Sequence, residues 1–283
     1  MKRKFKIMFE AMKMELREHK SSFLVFCILR ILVILVTARQ FFNGNYENFF
    51  LGILTLLLLF VPSLIQVSFK IELPTALEII IMLFIFSAEI LGEIQEFYII
   101  IPFWDTILHT LNGFLAAAIG FSLVVLLNDN KRVVFSLSPV FIAVVAFCFS
   151  MTIGVVWEFF EFFMDQLFYL DMQKDTIVHT IGSVMLDPQH GNVPYVLRGI
   201  ESTVVNGKDL GLGGYLDIGL IDTMEDLLVN FIGAAVFSVI GFFYVKNRGR
   251  GGIVKRLVPF RKSSDRDFLK AARTKWNQEG GEE

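Results

Sequence analysis

Cysteine is nearly absent from this sequence: 283 residues contain two, Cys27 and Cys148. Both fall inside apolar runs and read as inert packing residues, so a disulfide framework in the loops is excluded. Proline is scarce too, at seven, which leaves long stretches free to be helical. Histidine is scarcer, at four, so a site built mainly of imidazoles has few candidates. No HExxH metal motif occurs, and Gly211, Gly213 and Gly214 are not followed by a helix at phosphate-loop spacing. Charged residues make up only 19%, against about 25% in ordinary soluble domains. The bases present are segregated: of 26 Lys and Arg, seven lie in residues 1–20 and eleven in 246–275. Such flanks follow membrane topology, and no nucleic-acid role is indicated.

Apolar residues fill the space that charge vacates. The chain is 54% hydrophobic with 31 Phe, and its mean hydropathy is +0.60. The apolar residues form blocks of spanning length, about 20 residues each. Spans are expected at 22–39, 47–67, 73–92, 103–127, 135–163 and 222–245. The fold class is therefore all-α: a polytopic membrane helix bundle of about six transmembrane helices. A basic segment (1–21) precedes the spanning region (22–245), and a basic tail (246–283) follows it. Bases mark the N-terminal flank, Lys70, Lys131 with Arg132, and the tail, while residues 40–46 and 93–102 contain none. This alternation predicts both termini in the cytoplasm and a long extracytoplasmic loop at 166–221. The first span, behind its basic flank, reads as an uncleaved signal-anchor.

At the N-terminus, Phe5, Met8, Phe9, Met12 and Leu16 recur at helical spacing among charges. They describe either an amphipathic helix on anionic inner-leaflet lipids or a solvated positive flank. Arg30 either snorkels or pairs with a carboxylate such as Glu78. The tail lacks an apolar block and is expected as a partly disordered flank near anionic headgroups.

Three spans carry ionisable groups at one depth. Asp105 and His109 are one helical turn apart, with Asn112 on the same face and Trp104 ahead of them as an interface anchor. Glu158 and Glu161, after Trp157, form a polar stripe in a helix otherwise packed with Phe. Asp222, Asp226 and Asn230 stand at i, i+4 and i+8, and an N-cap role would explain Asp222 alone. Glu89 lies near the outer end of the third span. Topology puts Asp105, His109, Glu158, Glu161, Asp222, Asp226 and Asn230 in the outer leaflet, where each unpaired charge near the core costs at least about 2.5 kcal/mol. Five acids and one His need shared protons or a cation. A divalent metal (Zn, Mn or Mg), a proton or cation pathway, and a structural polar network are the competing explanations.

The motifs Trp-Asp-x-x-x-His…Gly at 104–113, Trp-Glu-x-x-Glu at 157–161 and Asp-Thr-x-x-Asp-x-x-x-Asn-x-x-Gly at 222–233 resemble the YjdF-type bacterial inner-membrane family. More distantly they are similar to VanZ-like membrane proteins. The resemblance covers about 90–240 and implies envelope work at the outer face of the plasma membrane. Three functions follow as expectations. The first is a metal-assisted enzyme acting on a membrane lipid or lipid-linked headgroup. In it Glu158, Glu161, Asp222 or Asp226 hold the metal, and His109, oriented by Asp105, is the acid/base. The second is a proton-coupled transporter or lipid-binding protein, and the third a structural envelope component.

Overall fold

The computed structural model describes residues 2–128, 137–247, 254–263 and 266–278. Its helices are α1 (Lys2–Glu18), α2 (Lys20–Phe42), α3 (Tyr46–Leu58), α4 (Val61–Phe69), α5 (Thr75–Phe86), α6 (Phe97–Ile100), α7 (Trp104–Asn128), α8 (Pro139–Phe168), α9 (Leu220–Lys246) and α10 (Phe268–Gln278). A π-helical segment, Ser87–Ile94, continues α5. Among the described residues six stretches are long and apolar enough to cross a membrane: Lys20–Phe42, Tyr46–Phe69, Thr75–Ile94, Trp104–Leu126, Pro139–Phe168 and Leu220–Lys246. The architecture is the all-α polytopic one that the hydropathy blocks demand. Lys131 and Arg132, which mark the fourth loop in the sequence, lie outside the described residues.

Local chemistry explains the departures from straight spans. The second span is broken between α3 and α4, where Pro62 occupies the first turn of α4. Proline has no N–H, and its ring would meet the carbonyl four residues back, so an uninterrupted helix cannot pass. α8 has 30 residues, about 45 Å at 1.5 Å per residue. That exceeds the roughly 30 Å hydrocarbon layer, so α8 must tilt or project beyond it. The Arg30 guanidinium lies over the Phe26 and Phe60 rings, 5.6 and 4.7 Å from their centroids, while Glu78 accepts from Gln66. Stacking on rings offsets part of the loss of water that a mid-span charge suffers.

The chain divides into two compact units, Met1–Met151 with Asn230–Glu283, and Thr152–Val229. In the first unit Leu77, Leu115, Ala117, Ala118, Phe121, Ala146 and Phe237 form a buried core among α5, α7, α8 and α9. α7 and α9 approach closely because Gly113 faces the Asn230 backbone and Gly233 faces the Thr110 carbonyl.

The tail in this unit is ordered where it is described. Val254, Leu257 and Val258 join the core. Strand β8 (Phe260–Arg261) pairs antiparallel with β1 (Ile71–Glu72). α10 packs on α1 through Ala272, Phe268, Leu269 and Trp276 against Ile7, Met8, Ala11 and Met12. The sequence reading of this tail, a partly disordered basic flank, did not include these docked elements. The apolar residues of α10 are too few to form a block, but at i, i+4 and i+8 (Phe268, Ala272, Trp276) they make one sticky face.

The second unit joins the end of α8 to the start of α9 through a strand-rich segment. Its ladders are antiparallel: β2 (Ile177–Val178) with β7 (Tyr215–Leu216), β3 (Thr180–Ser183) with β4 (Tyr195–Arg198), and β5 (Val204–Val205) with β6 (Lys208–Asp209). Asn206 and Gly207, both at positive φ (52° and 79°), make the two-residue turn between β5 and β6. Asp187 closes residues 187–193 by accepting N–H groups of Gln189 and Gly191 at 3.0 and 2.7 Å. These bonds hold the Asp187 carboxyl below its ordinary value of 3.8.

Candidate functional site

Within the second unit, α8 is built inside out. Glu158 and Glu161 are buried, 4% and 7% exposed, while Phe159, Phe160, Phe162 and Phe163 are exposed. Acids three apart share one helix face, and here that face is the covered one, with the phenylalanines left for lipid. Asp226, on the first turns of α9, is 4% exposed. One carboxylate oxygen from each of Glu158, Glu161 and Asp226 lies within 4.8 Å of the others. Oxygens on opposite sides of a cation at 2.1–2.5 Å stand about 4–5 Å apart, so this spacing fits a shared ion. Trp157 donates its indole N–H to Glu161 Oε1 at 2.7 Å, which fixes that carboxylate's orientation.

The remaining residues of this unit build the turn between the two helices. Asp165, at the end of α8, accepts the N–H groups of Met172 and Gln173 at 2.7 and 2.8 Å. Asp217 begins α9 by accepting the Ile221 N–H at 2.9 Å, and it also takes the Thr176 N–H at 2.7 Å. Desolvation raises the Asp217 pKa, but the backbone N–H groups of Thr176, Ile221 and Gly219 together hold it below 3.8. Asp222 accepts the Lys174 N–H at 2.8 Å. One oxygen of Asp222, grouped in the sequence with the metal-binding acids, thus holds the backbone at Lys174, and Asp217, which sequence reasoning missed, is the helix cap.

In the first unit, α7 carries the Asp105–His109 pair, with His109 Nε2 3.5 Å from Asp105 Oδ1. His109 is buried and Asp105 half-buried. One turn further on, three helices cross on polar contacts. Asn112 Nδ2 donates to Asn230 Oδ1 at 3.4 Å, Asn230 Nδ2 to the Ser150 carbonyl at 3.5 Å, and Ser150 Oγ to the Gly113 carbonyl at 2.7 Å. Asn112 and Asn230 therefore do meet. Ser150, the third participant, had no signal beyond being a hydroxyl in an apolar run. Trp104 donates its indole N–H to the Ser87 carbonyl at 3.3 Å, at the start of the π-helical segment. Glu89 lies half-buried in that segment.

A second buried polar cluster, also in the first unit, was not anticipated. Glu15, Gln66, Glu72 and Glu78 are all nearly inaccessible. Lys262 pairs with Glu15, and Arg266 pairs with Glu72 at 2.7 Å. Gln66 donates to Glu78 at 3.4 Å and accepts the Leu73 N–H at 2.9 Å. Burial raises the Glu15 pKa above 4.5, and its bond and charge interaction with Lys262 oppose the rise. Glu15 could have been noticed in the sequence: it stands eight and four residues after the buried Ile7 and Ala11, on their face.

No curated protein and no solved structure matched the chain. A family model did match, over residues 23–247, carrying the description "Predicted membrane protein (DUF2238)". This is the YjdF-type family that the motifs on α7, α8 and α9 resemble. The match takes in all six apolar spans except the first residues of Lys20–Phe42, and the chain is accordingly a multi-pass membrane protein of the DUF2238 family.

Proposed function

We propose that this protein binds a divalent cation through Glu158, Glu161 and Asp226 and uses it on a membrane lipid or lipid-linked headgroup of the bacterial cell envelope. The observation that carries the reading is the convergence of three buried carboxylates within 4.8 Å. Three negative charges so close and so dry repel one another, and a dication or shared protons relieve them. An all-carboxylate set suits Mg or Mn better than Zn, which favours imidazole or thiolate ligands. A bound dication would supply Lewis-acid polarisation of a phosphoryl or acyl oxygen. Trp157 orients Glu161 for it, as outer partners of metal ligands do. Asp105 lies close enough to His109 to orient the imidazole for proton transfer. The exposed phenylalanines of α8 support access from the lipid phase.

The orientation in this reading has both termini in the cytoplasm of a plasma-membrane protein. Basic flanks at both ends of the spanning region support it. The motif likeness to VanZ-like proteins supports envelope work.

The test is elemental mass spectrometry on full-length protein purified in detergent without chelator, together with Mn(II) titration followed by electron paramagnetic resonance. Wild type is compared with Glu158→Gln, Glu161→Gln and Asp226→Asn. About one ion per chain, lost in each variant that still folds, is the expected result. Absence of both native metal and Mn(II) binding overturns it and leaves proton sharing, hence proton-coupled transport or polar packing, as the role of the cluster.

A further inference from the structure

The two ends of the chain, 2–18 and 268–278, lie outside the family match of 23–247, and the structure gives them a joint role. α1 and α10 pack along their apolar faces. The acids on α1 and just ahead of α10 are turned towards tail or loop cations: Glu10 towards Lys275 at 3.4 Å, Glu18 towards Arg266 at 3.6 Å, Asp267 towards Lys70 at 2.8 Å, and Glu15 into a buried pair with Lys262. The outer surface is predominantly cationic. Across residues 3–20 and 268–278, Arg3, Lys4, Lys6, Lys13, Arg17, Lys20, Lys270, Arg273 and Lys275 are exposed, against Glu18 and the half-buried Glu10, which lies between Lys13 and Lys275. Charge of one sign on two separate chain ends is thereby gathered on one surface.

The same surface carries a hydrophobic contact. Phe5 and Phe9 are exposed and stacked, with ring centroids 6.5 Å apart. Phe9 also touches Phe60 at the break of the second span, at 6.3 Å, and Lys13 Nζ lies 4.8 Å over the Phe9 ring. At 100° per residue, Phe9, Lys13, Lys6 and Arg17 fall within an arc of about 80°. α1 runs into the first span with only His19 between them, so this surface sits where that span leaves the hydrocarbon. Aromatic rings beside lysines at that depth are what an interfacial helix presents to lipid.

We infer that α1 and α10, with the tail ahead of α10 fastened to α1 by the buried Glu15–Lys262 pair, form a single two-helix platform that recognises anionic phospholipid headgroups of the membrane the chain spans. Neither helix suffices. Without the docked tail from Lys262 onward, Glu15 and Glu18 lose Lys262 and Arg266, Glu10 keeps only Lys13, and their charge dilutes the positive field of α1. Without α1 the eleven residues of α10 are too short to hold helical structure in water.

The experiment places the full-length protein in nanodiscs of phosphatidylcholine alone or phosphatidylcholine mixed with phosphatidylglycerol, and follows amide hydrogen exchange in residues 2–18 and 268–278. Both segments are expected to be protected in either lipid, and to exchange roughly tenfold more slowly in the anionic one at low salt. High salt should abolish the difference, because screening shortens the reach of surface charge. The variant Lys13→Gln/Arg17→Gln/Arg273→Gln changes only exposed side chains and should lose the lipid dependence while both helices stay protected. Lys262→Met should unprotect 268–278 and remove the lipid dependence of 2–18, although it removes no exposed cation. Equal exchange in the two lipids, or lipid dependence that survives the triple substitution, overturns the inference. So does a wild-type 268–278 segment that exchanges as an unfolded chain.

Discussion

Replacing Gly233 by alanine should cost stability far beyond what one methyl group suggests. A Cβ at this position would lie 2.0 Å from the Thr110 carbonyl oxygen and 2.9 Å from the Phe114 nitrogen, both backbone atoms of α7, where ordinary contact begins at 3.4 Å. No side chain can rotate away, so the helices must part by about 1.4 Å, the difference between 3.4 and 2.0 Å. That separation breaks the Asn112–Asn230 bond, already 3.4 Å long, and the Asn230 contact to Ser150 at 3.5 Å. Overpacking costs about 1–3 kcal/mol, and an orphaned buried amide adds about 1–3 kcal/mol, so a loss of at least about 2 kcal/mol is expected. Gly113→Ala meets the Asn230 carbonyl at 2.2 Å and forces the same separation. The double variant should therefore cost less than the sum, by about 1 kcal/mol, because the second methyl enters a gap already opened. Reversible unfolding in mixed micelles, followed by tryptophan fluorescence, measures all three. A Gly233→Ala protein within about 0.5 kcal/mol of wild type, or strict additivity of the pair, would refute the close-approach argument.

Lys262→Met breaks an ion pair whose side chains are 4% and 1% exposed, and about 3–5 kcal/mol should be lost where Glu15 stays charged. Burial already raises the Glu15 pKa above 4.5, so the native state binds this proton more tightly than the unfolded chain, and stability falls as pH rises from 4.5 through the native value. Losing Lys262 strengthens that trend, and the variant's deficit should shrink on acidification; a deficit independent of pH in equilibrium unfolding would refute it. Trp157→Phe keeps the ring packed near Phe160 but removes the N–H donor to Glu161; divalent-ion affinity in a Mn(II) titration should drop about 10–100-fold, and unchanged affinity would mean the indole orients nothing. Asp187→Ala removes the acceptor for Gln189 and Gly191, so limited proteolysis should cut within 187–193. In wild type the depressed Asp187 pKa makes this protection complete above 3.8, and it fades as pH falls through the native value. Equal cleavage of the variant and wild type would sink the assignment.

Much of this protein is determined by composition and period alone. Apolar runs of spanning length have one way to satisfy their backbone in lipid, which is to be helical, so six spans follow without any knowledge of packing. The inward aim of Glu158 and Glu161 was legible for the same reason, since acids flanked by exposed phenylalanines have only the covered face left to occupy. The meeting of Asn112 with Asn230 was legible only as far as their shared depth.

Tertiary structure decided the rest, because it depends on residues far apart in sequence. Asp222 and Asp226 look alike in spacing, yet Asp222 Oδ2 takes the backbone N–H of Lys174, and the cap falls to Asp217 before the helix. Nothing in the local pattern of Glu15 or Lys262 announces a buried pair 247 positions apart. Nor does the eleven-residue α10 show that it will dock, since a short helix is unstable until a partner covers its face. Covalent sequence settles what each segment must be in lipid. Which charges meet, and which glycines let two backbones touch, is settled only when distant segments share one space.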